Sequence, residues 1–192
     1  MDDCIYTVIK EIGSGGTSRV YEAHCYELKR SVALKVVDLR GVEERTVEQY
    51  RKEIEILTTL PCNEYIITLF KWEETMNAMY MVMELGQIDL ASIIHEQKRK
   101  PLDMIFIMNY WKQMVNAVWY THRAKIIHSD LKPSNFVLAR GKLKLIDFGI
   151  ANIIANDTTN IYREQQSTTC PQNHYYVQRE GIKWGALVMF GH

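Results

Sequence analysis

The chain has 192 residues, 47% of them apolar, enough for one domain or two small lobes around a sizeable core and too many for a disordered chain. Its 23 basic residues balance 23 acidic ones, so no global field favours nucleic acid or an anionic membrane, and the "KRK" run at 98–100 reads as a solvated loop. No run approaches the ~20 apolar residues of a membrane span, and the opening "MDDCIYTVIK" lacks the basic-then-apolar pattern of a signal peptide, so an intracellular, soluble protein is expected.

Residues 6–37 alternate in short β-like runs, "YTVIKEI", "RVYEAHC" and "SVALKVV", separated by a glycine cluster and a polar turn, which predicts an antiparallel meander. Next, "TVEQYRKEIEILTTL" spaces Val47, Tyr50, Ile54 and Leu57 at steps of three and four, an amphipathic helix ending before Pro61. "YIITLF" and "AMYMVMEL" are further strand candidates, and Gly86 breaks the second as a hinge. A long helix follows in "MIFIMNYWKQMVNAVWYTH", with apolar residues at 107, 110, 111, 114 and 118 and interruptions at Asn109, Lys112, Gln113 and Asn116; it reads as a core helix. In "NFVLARGKLKLIDFG", Arg140-Gly141 is expected to turn a hairpin. Cys4, Cys25, Cys62 and Cys170 lie far apart without C-x-x-C spacing, suggesting neither zinc ligation nor a disulfide framework, but a reducing compartment.

Three stretches carry chemistry. "GSGGTSRV" at 13–20 lies between two strands, where glycines let backbone N–H groups approach phosphate oxygens; a plain hairpin turn is the competing reading. A P-loop would end in Gly-Lys-Ser/Thr and a dinucleotide fold would place the glycines before a helix, and neither fits. Lys35 in "VALKVV" sits mid-strand on the face of Ala33, and by itself reads as a lysine snorkelling to water. Glu53 falls inside the apolar arc of the 46–60 helix, where a carboxylate is costly unless paired, and Lys35 is its natural cation. In "IIHSDLKPSNF" at 126–136, Asp130 precedes Asn135, and Asp147-Phe148-Gly149 follows across the hairpin. Phosphoryl transfer needs oxygens for Mg²⁺, a carboxylate to take the hydroxyl proton and a cation for the phosphate; Asn135 with Asp147, Asp130 and Lys132 supply these.

This ordered set, "GSGGTSRV", "VALK", Glu53, "HSDLKPSN" and "DFG", resembles a eukaryotic protein kinase over roughly residues 6–166. "IGSGGTSRVY", "YMVMELGQIDL", "HSDLKPSNF" and "KLKLIDFGIAN" with the following "DTT" are similar to the monopolar-spindle (TTK-type) dual-specificity kinases. In that family a small hydroxyl residue replaces the third loop glycine, as Ser18 does, and Ser129 stands where many kinases have arginine. The resemblance implies an α+β kinase-like fold: a small β-rich lobe with one helix and a hinge over residues 1–86, then the first part of a helical large lobe over 87–166. It implies ATP and Mg²⁺ as cofactors, catalytic Asp130, Lys132, Lys35 and Glu53, and metal-holding Asn135 and Asp147. Nucleotide contacts are expected from Gly13, Ser14, Gly15, Gly16, Val20, Ala33, Lys35, Met83 as gatekeeper, Glu84, Gly86, Asn135 and Val137. Leu57, Leu69, His128 and Phe148 match the family's hydrophobic stack.

The implied function is transfer of the γ-phosphate of ATP to Ser/Thr, and by the dual-specificity pattern Tyr, of protein substrates in spindle-checkpoint signalling. Kinetochore and checkpoint proteins are the implied partners, with neither direct nucleic-acid nor membrane contact, and the nucleus and spindle, or else the cytoplasm, is the implied location. Thr158, Thr159 and Tyr162 are candidate phosphorylation sites, and Ser129 lacks the charge to anchor a phosphate on the activation segment. Beyond "DTTNIYREQQ" the family pattern is lost: residues 167–192 read as a divergent tail and the kinase as truncated in its activation segment. The expectation is then that much of the packing surface of the 102–122 helix goes uncovered. The alternative function is an inactive, nucleotide-binding fragment acting as a binding module.

Overall fold

The computed structural model describes residues 4–60, 62–98, 101 and 103–153, which fall into two compact units. The first comprises described residues 4–48 and 68–85; the second comprises 49–67 and 86–153. The division falls at 85/86, beside the expected hinge, while residues 49–67 group with the second unit.

The first unit is one antiparallel sheet in the order β1-β2-β3-β5-β4, built from β1 (Tyr6–Gly15), β2 (Ser18–Cys25), β3 (Arg30–Asp38), β4 (Leu69–Glu74) and β5 (Ala78–Glu84). The expected three-strand meander is its first part, and β1 continues into the glycine cluster up to Gly15. Because side chains alternate across a strand, directly opposed residues share a face. Val20, Lys35 and Met81 are opposed across β2, β3 and β5, as are Ala33 and Met83, and these residues mark one face. On the other face Tyr6, Ala23, Val32, Leu34, Val82 and Cys4 belong to a buried apolar cluster. The strand expected over "YIITLF" starts late. Asn63 Oδ1 accepts from the backbone N–H of Tyr65 and Ile66 at 2.8 and 3.0 Å, so that segment turns before β4 begins at Leu69 and runs on through "KWEE".

α1 (Glu44–Thr59) crosses the division between the units and buries Val47, Ile54 and Leu57 of the stripe read in the sequence, with its Tyr50 half-buried and Ile56 buried as well. In the second unit, β6 (Ile88–Asp89), β8 (Phe136–Ala139) and β9 (Lys142–Leu145) form a sheet in the order β6-β8-β9, and β7 (Ile126–Ile127) pairs with β10 (Asn152–Ile153). Arg140 and Gly141, at φ 51° and 74°, turn the β8–β9 hairpin at the expected place; glycine suits the left-handed backbone this tight turn needs, whereas arginine adopts it against its ordinary preference. α2 (Leu90–Gln97), absent from the sequence reading, is capped by Asp89, whose carboxylate accepts from the Ser92 backbone N–H and hydroxyl at 2.9 and 2.7 Å.

α3 (Met104–Arg123) starts at Asp103 and spans the expected helix. Its buried positions, however, are Ala117 and Thr121, while Trp111 of the predicted core stripe is 63% exposed and Ile107 is exposed as well. The core-helix reading is corrected: among the described residues α3 packs on β7 and β9, which cover one side of its C-terminal half. No helix among the described residues is long and apolar enough to cross a membrane. The candidate phosphorylation sites Thr158, Thr159 and Tyr162, and the 167–192 tail, lie outside the described residues.

Candidate functional site

In the first unit the glycine segment is a narrow two-stranded ribbon. Gly13 faces Val20, Ser14 faces Arg19 and Gly15 faces Ser18, and Gly16 closes the turn at φ 34°. A side chain at Gly15 would meet nothing within 4 Å, so packing within the protein does not require glycine there. Open space against bare backbone suits a ligand that approaches the N–H groups. Register then lines up Val20, Ala33, Lys35 and Met83 on one face of the sheet, with Ala33 buried and Lys35 half-buried. Glu84, at the end of β5, is buried.

In the second unit the candidate residues sit on irregular backbone, and hydrogen bonds hold them. The chain leaves β7 at Ile127, passes His128, Ser129 and Asp130, and re-enters order in a single turn of 3-10 helix, Pro133–Asn135, against which α2 packs. His128 is 2% exposed. Its Nδ1 accepts the Asp130 N–H at 3.3 Å, so its Nε2 carries the proton and donates to the Ile146 carbonyl at 2.9 Å. One imidazole thereby ties the loop to the segment leading into Asp147. Its ring also meets that of Phe148 edge-on, 4.8 Å between centroids, and Phe148 is fully buried.

Asp130, Lys132 and Asn135 form a tight set. Lys132 Nζ lies 2.6 Å from the Asp130 carboxylate, and Asn135 Nδ2 donates to that carboxylate at 3.0 Å and to the Asp130 carbonyl at 2.8 Å. The Lys132 hydrogen bond, then that from Asn135, holds the Asp130 carboxyl below its ordinary range, and Asp130 in turn holds the Lys132 ammonium above its own. Asp130 is therefore ionised at neutral pH. The Ile146 N–H donates to the Asn135 carbonyl at 2.9 Å, which sets Asp147 close behind the loop, and the charge of Asp147 is felt at Lys132.

Ser129 and Asp147 both adopt left-handed backbone, φ 66° and 64°, an unfavoured conformation for residues with side chains. Each adjoins a fully or nearly buried ring, Ser129 following His128 and Asp147 preceding Phe148, and each is itself exposed. The twist buries the ring and leaves its neighbour facing solvent. Gly86 and Val137 approach closely: a Cβ on Gly86 would lie 2.9 Å from Val137 Cβ, so glycine is required there by space. Glu53 is buried at 2% exposure, as are Leu57, Leu69 and Phe148 of the expected stack.

The donor set suits a divalent cation. Asn135 spends its amide nitrogen on Asp130, leaving its oxygen as acceptor, and Asp147 offers an exposed carboxylate. Among the described residues no group of three His, Cys, Asp or Glu is placed to cage a metal. Two protein oxygens supplemented by phosphates and water are how Mg²⁺ is commonly held. What the sequence could not disclose is the Ile146 carbonyl, because a backbone acceptor has no residue signature. Gln113 was read only as an interruption of α3, yet its Oε1 accepts the Leu143 N–H at 2.8 Å and pins β9 to the helix.

Comparison with known proteins agrees with this geometry. The family described as "Protein kinase domain" matches residues 6–183, running past 166, where the motif resemblance stops. The chain is 44% identical over 160 residues to serine/threonine-protein kinase mph1 of Schizosaccharomyces pombe, covering 82% of this chain and 24% of that protein. It is 45% identical over 166 residues to dual specificity protein kinase TTK of Mus musculus, covering 86% and 19%. To serine/threonine-protein kinase MPS1 of Saccharomyces cerevisiae it is 40% identical over 169 residues, covering 88% and 22%. The chain thus spans about a quarter or less of the length of these curated relatives.

Proposed function

We propose, from the premise that this chain belongs to the protein kinase domain family, that it transfers the γ-phosphate of ATP to hydroxyl groups of protein substrates. The observation that carries the reading is the hydrogen-bonded set Asp130–Lys132–Asn135, tied through the Ile146 N–H to Asp147. An ionised carboxylate, an adjacent ammonium and two oxygen donors are what the reaction needs, and nothing in a structural turn calls for all of them together.

In this reading a substrate hydroxyl hydrogen-bonds to Asp130, which takes its proton as the oxygen attacks the γ-phosphorus and the bond to the β-phosphate oxygen breaks, releasing ADP. Lys132, already 2.6 Å from Asp130, balances charge on the phosphoryl group in transit. Asn135 and Asp147 are assigned to Mg²⁺, which when bound neutralises the phosphate oxygens. Lys35 is assigned to orienting the phosphates, with Glu53 as its expected counter-ion, while Gly13, Ser14, Gly15 and Gly16 are assigned to covering them with backbone N–H groups. Val20, Ala33 and Val137 are assigned to the faces of the adenine, Met83, Glu84 and Gly86 to its edge. Relatives named as serine/threonine and dual specificity kinases support Ser/Thr hydroxyls as acceptors, with Tyr as a further one. Their likeness also supports a spindle-checkpoint role with kinetochore partners and a nuclear location, which we extend to this chain.

The test is calorimetric titration with Mg·ATP alongside transfer of labelled phosphate to a generic protein substrate. Asp130→Asn should bind nucleotide and lose transfer, and Lys35→Met should weaken binding. Nucleotide binding indifferent to Lys35 would sink the assignment. Binding without transfer in the unsubstituted chain would favour the nucleotide-binding module instead.

A further inference from the structure

The face of the β1–β5 sheet opposite Val20, Ala33 and Lys35 carries a reactive group that phosphoryl transfer does not use. Cys4, just before β1, is 6% exposed, and its thiol donates to the carboxylate of Glu27 in the β2–β3 turn. Lys71 of β4 places Nζ 2.5 Å from Cys4 Sγ and 2.8 Å from Glu27 Oε2. The three residues come from separate segments, Lys71 standing 67 positions from Cys4, so the fold and not local sequence assembles them. Lys71 and Glu27 are 30% and 37% exposed, so both polar partners of the buried thiol reach solvent.

We propose that Cys4, Lys71 and Glu27 form a peroxide-sensitive site at which Cys4 Sγ and Lys71 Nζ become joined by a sulfenamide bond. In the first step Sγ attacks one oxygen of hydrogen peroxide and the O–O bond breaks. The thiol proton passes through the Glu27 carboxylate to the departing hydroxide, which leaves as water. Sulfur is oxidised by two electrons to the sulfenic acid and the peroxide is reduced. In the second step the Lys71 ammonium gives one proton to solvent and the free amine attacks Sγ; the S–O bond breaks, and the hydroxide takes a proton from solvent and leaves as a second water. Nitrogen then sheds one further proton. Thiol, ammonium and one peroxide thus give sulfenamide, two waters and a proton, with no other oxidant. Sulfenic acids condense with nearby nitrogen in this way, and thiols reverse it. Burial and the bond to Glu27 push the Cys4 thiol up, so it rests protonated and needs the carboxylate as its base. The link would staple the start of β1 to β4 and narrow the unfolded ensemble.

The experiment treats the full chain with a few equivalents of hydrogen peroxide, then applies peptide mass mapping and a thermal melt. A Cys4–Lys71 peptide pair is expected at the summed mass less two hydrogens, with a raised melting temperature, and both should revert with dithiothreitol. Cys4→Ser and Lys71→Arg should abolish the pair; the arginine keeps the charge opposite Glu27 but its guanidinium does not condense. Cys4 carried only to sulfinic acid or a mixed disulfide, alike in the wild type and in Lys71→Arg, overturns the proposal. So does a Glu27→Gln chain that links at the wild-type rate.

Discussion

The two units hold their candidate residues by different means. In the first, Val20, Ala33, Lys35 and Met83 ride on long strands, and their common face follows from register alone, secured by many equivalent ladder bonds. In the second, Asp130 and Asp147 lie on backbone that is neither helix nor strand, and Asn135 ends a single turn of 3-10 helix. A few individual contacts position them: His128 to Ile146, Asn135 to Asp130, Ile146 to Asn135, and left-handed twists at Ser129 and Asp147. A redundant scaffold averages over the loss of one contact, whereas a singly tied loop does not. Substitutions in the second unit should therefore cost more than their counterparts in the first.

The largest expected effect tests the chemistry of that loop. Asp130→Asn keeps the shape and removes the proton acceptor, so phosphate transfer should fall by roughly 10²–10⁴-fold with Mg·ATP affinity little changed, as read by steady-state kinetics and calorimetry. A paired glycine comparison follows. Gly86→Ala drives a methyl into Val137 and should cost about 1–3 kcal/mol in urea unfolding, partly recovered by Val137→Ala. Gly15→Ala meets open space and should stay within about 0.5 kcal/mol. Equal losses at the two glycines would erase the contrast.

A smaller effect belongs to the left-handed residue. Ser129→Val puts a β-branched side chain at φ 66° and should cost about 1–2 kcal/mol, while Ser129→Gly should be neutral or mildly stabilising in the same unfolding assay. The smallest is a titration shift. The Asp130 carboxyl is depressed in the folded state, so its pairing with Lys132 favours folding above the ordinary carboxylate range and is lost as pH falls through the depressed value. Lys132→Met should move the Asp130 carboxyl resonance midpoint upward, toward the ordinary range, in a carbon-detected NMR titration. An unmoved midpoint would mean that Lys132 does not hold the carboxylate.

Much of this was legible in the chain itself. The β-like runs and the Arg140-Gly141 turn follow from period-two alternation and turn chemistry, which are local. The order and spacing of Lys35, Glu53, Asp130, Asn135 and Asp147 pointed to the candidate site because few chemistries call for that combination of side chains. Other features carry no such pattern. The late start of β4 is set by Asn63 capping the preceding turn, and the polar "KWEE" that β4 then enters carries no strand pattern. On α3 the apolar stripe through Trp111 is exposed, in line with the expectation that much of that helix goes uncovered, and its buried positions are Ala117 and Thr121. The anchoring of His128 on a carbonyl, and the meeting of Cys4 with Lys71, have no sequence signature at all. Sequence determines which groups are present and their local conformational bias; which of them come within bonding distance is decided by chain segments dozens of residues apart, and only the folded backbone brings those together.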